Sequence, residues 1–506
     1  MEGIVQGVNR IRKKIPVKSW KTFFKDCDIV MSAPHIFFYS GEHAVLKGVP
    51  AVIQTMELRV YVGIEQDSRK PWLQIYQYDQ DNDTISEIMK PEIDSDDPNE
   101  ITIKQLYSFI EGQYSESAAS IDCEKIKKQI TKMSIRVLSN IYPGSGANWS
   151  GAFSTALAGA IYYLFICQDD ENEITATIDS WQDYKTGYIG SETNSAFNDI
   201  NLMAFYIESV CHGGSASGYG TLGAVVGHSD PMIYKTRPRN RNGLGNHLRI
   251  NLFSENGTLY PKNKTEIIEI LKSACLLRLD DIDGRLKQHF HIWVVDTKKK
   301  KDKGTAGAIK KILKEVENDV DEALKTTRKL YKENCSDFLF NGDVLQENSF
   351  QTITRWRCLD YAVITFLYYF RGFLVDNVPD LDKRPKIIKY CNAISRLLLG
   401  LGLDWNEFAQ YRILLFKDEN ITHKTTAMKL SGGGTAGVCV ILSEGGYLTS
   451  EKLMKLLNIN ESDIFFDNHS GNTDLKRNGL RLDSINRSNG LSIEEFFMAI
   501  YRLILE

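Results

Sequence analysis

With 506 residues, the chain is too long for one ordinary core and is expected to form at least two domains. A hydrophobic content of 42% and a charged content of 25% belong to a globular protein. A net charge of −4 and a pI near 6.2 argue against general affinity for nucleic acid or an anionic membrane.

Nine cysteines are scattered from Cys27 to Cys439 without a C-x-x-C pair, which reads as reduced thiols in a cytoplasmic protein. The first residues, up to Lys25, are basic and lack an apolar segment, so no secretory signal is expected. Val17 to Phe24 reads as an edge strand or a short helix. From Ile29 to Val52, apolar strands flank a turn that carries Glu42 and His43, and Ala51 to Glu65 continues as strand. A buried Glu-His pair is costly unless hydrogen-bonded, so the pair either caps the turn or meets a ligand. Residues 66–130 read as an acidic insertion, a solvated loop with helices expected at 102–113 and 121–133.

Ser134–Ser139 is β-like, and the stretch after it reads strand, glycine loop, helix: Tyr142-Pro143-Gly144-Ser145-Gly146-Ala147-Asn148-Trp149-Ser150, then a small-residue run. A helix start offers free N–H groups and the positive end of the dipole to a phosphate, and glycines let the backbone come close. No Lys-Ser or Lys-Thr follows, so this is not a Walker A loop, and it contains no G-x-G-x-x-G. The competing reading is a small-residue helix packed closely in a core. Gly151–Cys167 and Ala362–Phe370 are the longest apolar runs; both read as buried elements rather than membrane spans.

Ile174–Gly187 is expected to be a helix and turn. Asp199–Val210 is a helix with Ile200, Met203, Ala204 and Ile207 on one face. A second small-residue loop, Cys211–Gly223, leads into a β-like run ending at Tyr234. The basic turn region after it places a domain boundary near residue 240. A helix Glu266–Leu277 and a strand Phe290–Val295 follow, with His289 and His291 two apart; packing is favoured there over a metal. A lysine run from Lys298 opens a helical region to about Lys332. Two more helical regions cover Ser349–Phe373 and Lys386–Leu401, and a third glycine loop, Ser431-Gly432-Gly433-Gly434-Thr435-Ala436-Gly437, precedes a strand. Ser492 and Glu495 form a capping box over an apolar stripe to the end of the sequence.

Three of these stretches together resemble the GHMP kinases. They are Ala33-Pro34 through Gly41-Glu42-His43-Ala44-Val45 to Gly48-Val49-Pro50-Ala51, then Pro143–Ala152, then Lys429–Ile441. The wording of the first is most similar to the mevalonate kinase branch. The resemblance implies a two-domain α+β fold: an N-terminal domain like ribosomal protein S5 to residue 240, interrupted at 66–130, and a ferredoxin-like domain over 241–506. It implies ATP and Mg²⁺ as cofactors, and a phosphotransferase acting on a small-molecule alcohol, mevalonate or a related acceptor. A sugar or other alcohol is the alternative acceptor. The alternative function is a weakly active or inactive binding or regulatory protein, and the candidate assembly is a homodimer.

The resemblance assigns Gly144, Ser145, Gly146, Ala147, Asn148 and Ser150 to ATP. It assigns Ser150 and Glu208 to the metal and to catalysis, and Glu42, His43, Ser217, Gly432 and Gly433 to the acceptor. Four positions, in three stretches, depart from the family pattern. Asn148 and Trp149 replace a glycine and a serine, Ile36 stands where a lysine is usual, and Gly220 stands where the catalytic aspartate is usual.

Overall fold

Among the described residues, two β sheets, of nine and four strands, carry the fold. The computed structural model describes residues 15–47, 49–66, 73–79, 82–89, 134–166, 171–181, 186–188, 195–211, 216, 218–235, 274–281, 284–298, 349–376, 381–401, 406–431, 437–469 and 479–485.

Strands β1 (Ile29–Ser40) and β2 (Ala51–Glu65) form the antiparallel centre of the first sheet. Both are almost wholly buried, which explains their near-continuous apolar sequence. In β1, Ile29, Met31 and Ala33 face one core, and so do Ile36 and Phe38; Phe37 and Tyr39 join a different core. The change of parity falls where the register slips between Pro34 and Ile36, since one extra residue swaps the faces.

Beyond β2 lie β3 (Leu73–Asp79), β4 (Thr84–Met89) and β5 (Ser134–Ser139). Strand β5 pairs antiparallel with β2 and parallel with β3, and β4 forms the edge. Part of the acidic insertion is therefore paired sheet rather than solvated loop. The polar β4 was hard to read because its residues are mostly exposed. The helices expected at 102–113 and 121–133 lie outside the described residues.

Along the first half of β2 run β7 (Met232–Lys235), β8 (Cys275–Arg278) and β6 (Thr186–Tyr188). The helices Trp149–Ile161, Glu171–Trp181, Ser195–Cys211 and Tyr219–Val226 cover one face of this sheet and share its core with Ile53, Val60 and Val62. The helix Val17–Phe23 closes a smaller cluster around Trp20, Phe24 and Tyr61.

Two expectations are corrected here. The run before Tyr234 is not all strand: Tyr219–Val226 is helix, opened by Gly218 at φ 82°. The β-branched Val225 and Val226 favour strand, but tertiary packing of small residues against Ile36 and Ile53 overrides that preference. The end of the expected Glu266–Leu277 helix, from Cys275 on, is strand β8, paired with β7 and β6.

The second sheet holds β9 (Phe290–Asp296), β10 (Thr426–Leu430), β11 (Val438–Glu444) and β12 (Ile464–Asp467) in the order β10-β11-β9-β12, all antiparallel. Helices separate β9 from β10 and β11 from β12. That chain order and spatial order make the βαββαβ, ferredoxin-like arrangement. Its Ile292, Val294, Val440 and Leu442 share a core with Phe37, Tyr39 and Met56 of the first sheet and with the helices Ser349–Val375 and Lys383–Gly400. Its other face, with Trp293, Val295 and Ile441, is covered by helices Asn406–Leu415 and Ser450–Leu457.

The stretch Cys358–Val375 has a mean hydropathy of 1.3 and is half buried. Its apolar side, including Leu359, Val363, Phe366 and Phe370, belongs to this core, as a core helix's would. The last described strand, β13 (Arg481–Ile485), returns to pair with β1. Both β8 and β13 follow residue 240, so the first sheet draws on both sides of the expected boundary. The long helical region after Lys298 and the segment from Ser492 lie outside the described residues.

Candidate functional site

The glycine loop after β5 is held from both sheets. From β1, the His35 imidazole Nδ1 donates to the Ala147 carbonyl at 3.0 Å, and the Ile36 N–H reaches the same oxygen at 3.3 Å. His35 Nε2 meets Ser139 Oγ at 3.1 Å, and Ser139 Oγ accepts from the Ile141 N–H. Nδ1 therefore carries a proton, because a carbonyl oxygen can only accept. From the second sheet, the Val438 N–H donates to the Ser145 carbonyl at 2.7 Å, and the Tyr142 hydroxyl donates to Asp296 at 3.1 Å.

Two carbonyl oxygens of the loop, which would repel an anion, are thus engaged by protein donors. Gly144 and Gly146 take φ 83°, a backbone open to glycine at little cost. Asn148 opens the Trp149–Ile161 helix at φ 57°, in the region Asn tolerates better than most residues. Its side chain does not cap the helix; its amide instead donates to the Gly220 carbonyl at 3.0 Å. The first-turn N–H groups are consequently left without a side-chain cap, and such groups with the helix dipole suit an anion.

Of the residues assigned to ATP, Ser145 and Ala147 are buried, while Gly144, Gly146, Asn148 and Ser150 keep some exposure. The Ser145 hydroxyl accepts from the Ala147 N–H at 3.3 Å, so it serves the loop itself. Glu208, on the Ser195–Cys211 helix, is 4% exposed and lies beside Asn148 around Gly220.

Glu42 and His43 are also buried. Glu42 is held by a partner that sequence reasoning quoted only as part of a motif. The wholly buried Lys429 ammonium ion-pairs with the Glu42 carboxylate. It also donates to the Phe38 carbonyl at 3.1 Å and to the Leu430 carbonyl at 2.7 Å. Its three donors are then fully used. Burial pushes the Glu42 carboxyl up, and the Lys429 charge pulls it back. The Phe38 N–H goes to Ser431 Oγ at 3.1 Å, so β10 and its end satisfy both backbone groups of one β1 residue. His35 is the other residue missed. The sole sequence signal for either was its place inside a motif.

Ile36, where a lysine is usual in the family, is fully buried against the Gly223 and Ile53 side of the first core. Ser217, Gly432 and Gly433 lie outside the described residues. His291 is packed in place: it bonds Asp467 at 2.8 Å and stacks on Trp293 and His469. Among the described residues, no group of three or more His, Cys, Asp or Glu side chains is arranged to hold a metal ion.

No protein-family model matches the chain, and no curated protein matches it. Solved structures similar to it are members of the superfamily that its motifs resemble. L. major mevalonate kinase in complex with R-mevalonate is 15% identical, with 86% of this chain and 94% of that chain covered and a TM-score of 0.43. Streptococcus pneumoniae phosphomevalonate kinase, in complex with phosphomevalonate and AMPPNP, is 13% identical over 87% and 99%, with a TM-score of 0.46. Lactococcus lactis galactokinase complexed with galactose is 10% identical over 87% and 93%, with a TM-score of 0.49.

Proposed function

We propose that the chain is an ATP-dependent kinase that phosphorylates a small-molecule alcohol, with mevalonate or a related compound as the leading acceptor. The observation that carries this reading is the loop Tyr142–Asn148. Its Ser145 and Ala147 carbonyls are tied back from both sheets, and it ends at a helix start with no side-chain cap. Backbone N–H groups and the helix dipole would hold the phosphates there.

The donor set fits Mg²⁺, which takes hard oxygen ligands and keeps several waters: the buried Glu208 carboxylate and the hydroxyl of Ser150 at the helix start. When bound, the ion would neutralise charge on the transferring phosphoryl group. The chain's own residues would align the nucleotide and exclude water. Phosphoryl transfer asks chiefly for alignment and charge stabilisation, so it can run without a dedicated base; absence of a base typically costs a factor of about 10²–10⁴.

A binding or regulatory protein with little turnover is the second reading. It is favoured by the apolar wall at Ile36 and by the full commitment of Lys429 to Glu42 and two carbonyls. The test is ADP release with MgATP and a panel of mevalonate, its phosphates, homoserine and sugars, run beside Ser150→Ala and Glu208→Ala. Turnover with one acceptor, lowered at least about 100-fold in both variants, is expected. ATP binding without turnover on any acceptor would replace the kinase reading by the second one.

A further inference from the structure

His35 falls in the register slip of β1 between Pro34 and Ile36. Its wholly buried ring ties the end of β5 to the end of the glycine loop. Ser139 Oγ meets Nε2 at 3.1 Å, and the Ala147 carbonyl accepts from Nδ1 at 3.0 Å. The Ile36 N–H gives that carbonyl a second donor at 3.3 Å, so both of its lone pairs are used. A trans peptide points its N–H opposite its carbonyl, and the Asn148 N–H is therefore turned away from β1. Positive φ recurs at Gly144, Gly146 and Asn148, and not at Ser145 or Ala147 between them. Backbone that alternates in hand gathers N–H groups into an anion-binding hollow. Asn148 is the strained member, because its φ of 57° is one that most side chains avoid. Relaxation to negative φ would turn the Ala147–Asn148 peptide over and put a carbonyl oxygen where the N–H had been.

We infer that His35 is a positioning residue for the polyphosphate of the nucleotide. By holding the Ala147 carbonyl, it keeps that oxygen away from the phosphates and the Asn148 N–H toward them. It acts through the loop backbone, and of its two bonds the one from Nδ1 carries the effect. The inference rests on the nucleotide site proposed above.

Binding of AMPPNP, tripolyphosphate and adenosine to the full chain, each with Mg²⁺, tests it apart from turnover. In His35→Asn an amide nitrogen can stand where Nδ1 stands; in His35→Gln it stands nearer Nε2, although Gln matches the ring better in size. His35→Asn should keep AMPPNP and tripolyphosphate affinity within about threefold of native, whereas His35→Gln and His35→Ala should weaken both by about tenfold. Adenosine affinity should move in none of them. Circular dichroism restricts the comparison to folded variants, and if His35→Ala does not fold, the Asn and Gln pair carries the test. A role confined to core packing would follow volume and rank Gln above Asn. That ranking, equal affinities in all folded chains, or a loss shared by adenosine overturns the inference. ADP release with unchanged AMPPNP affinity in His35→Gln overturns it while the kinase reading stands. Tripolyphosphate binding in the expected order, without ADP release on any acceptor, upholds the inference and removes the kinase reading. A native chain that binds neither polyphosphate probe overturns both.

Discussion

Gly437 has no room for a side chain. Its φ is 108°, and a Cβ there would lie 1.7 Å from the Ser145 carbonyl oxygen. Its own carbonyl accepts from the Thr297 N–H at 3.2 Å. Gly437→Ala should force the glycine loop away from β11 and cost about 3 kcal/mol or more, read as a fall in the urea midpoint and, on the proposed kinase reading, weaker ATP binding.

His228 supplies a pH prediction at the same scale. Its Nδ1 accepts from the Asp230 N–H at 2.9 Å, a bond that protonation at that atom would break. Burial, then the Arg278 charge, lowers the imidazole to about 4. A folded-state value below the unfolded one, about 6.5, means that the unfolded chain binds the extra proton between those pH values. Stability from this group is therefore present above about pH 6.5 and is lost as pH falls toward 4, by at most about 3 kcal/mol. Thermal midpoints measured from pH 7 to 4 should show this slope, and His228→Gln should flatten it.

Residues differ in how far the sequence exposes their roles. Glu42, Asn148 and Glu208 were legible as site candidates because each sits in a motif. The partners that define them were not, because Lys429 lies 387 residues from Glu42 and Gly220 lies 72 from Asn148, and one sequence carries no record of such pairings.

Among the elements, β1 and β10 are joined by side chains rather than by a backbone ladder. Lys429 and Ser431 take the carbonyl and the N–H of Phe38, where β1 loses register with β2. The Glu42 ion pair stands at the same place. Removing one partner of a buried pair leaves a charge uncompensated, so Lys429→Met is expected to cost about 3–5 kcal/mol. Lys429→Met with Glu42→Gln should recover much of that loss. Denaturant unfolding of both single variants and the double variant reads the coupling; additive losses would show that the pair contributes nothing as a pair.

Elements with strong patterns were legible in sequence. The expected strands at Ser134–Ser139 and Ala51–Glu65 have those bounds in the structure, and the long helices differ from expectation by a few residues at their ends. The Tyr219–Val226 helix and the exposed β4 were not, because packing of small residues decides the first and pairing with β3 decides the second.

At the scale of the molecule, one apolar core joins both sheets, so the seam beneath the candidate site is continuous with the interior. The four-stranded sheet could be expected from the family resemblance. The return of β13 to the first sheet could not, since its short sequence has no periodicity that names a partner.

That return has a consequence for how the chain is made. β1 pairs through Ile29–Ser32 with Arg481–Ile485, strands from opposite ends of the described chain. At about 5–20 residues per second, a ribosome that has finished β1 needs on the order of twenty seconds to a minute and a half to deliver its partner. Throughout that interval one edge of the central strand is an open template for wrong pairing. A fragment ending at residue 240 keeps that edge open permanently, together with the β7 edge that β8 covers. It is expected to be captured by chaperones or to aggregate during translation, where the full chain closes its own sheet.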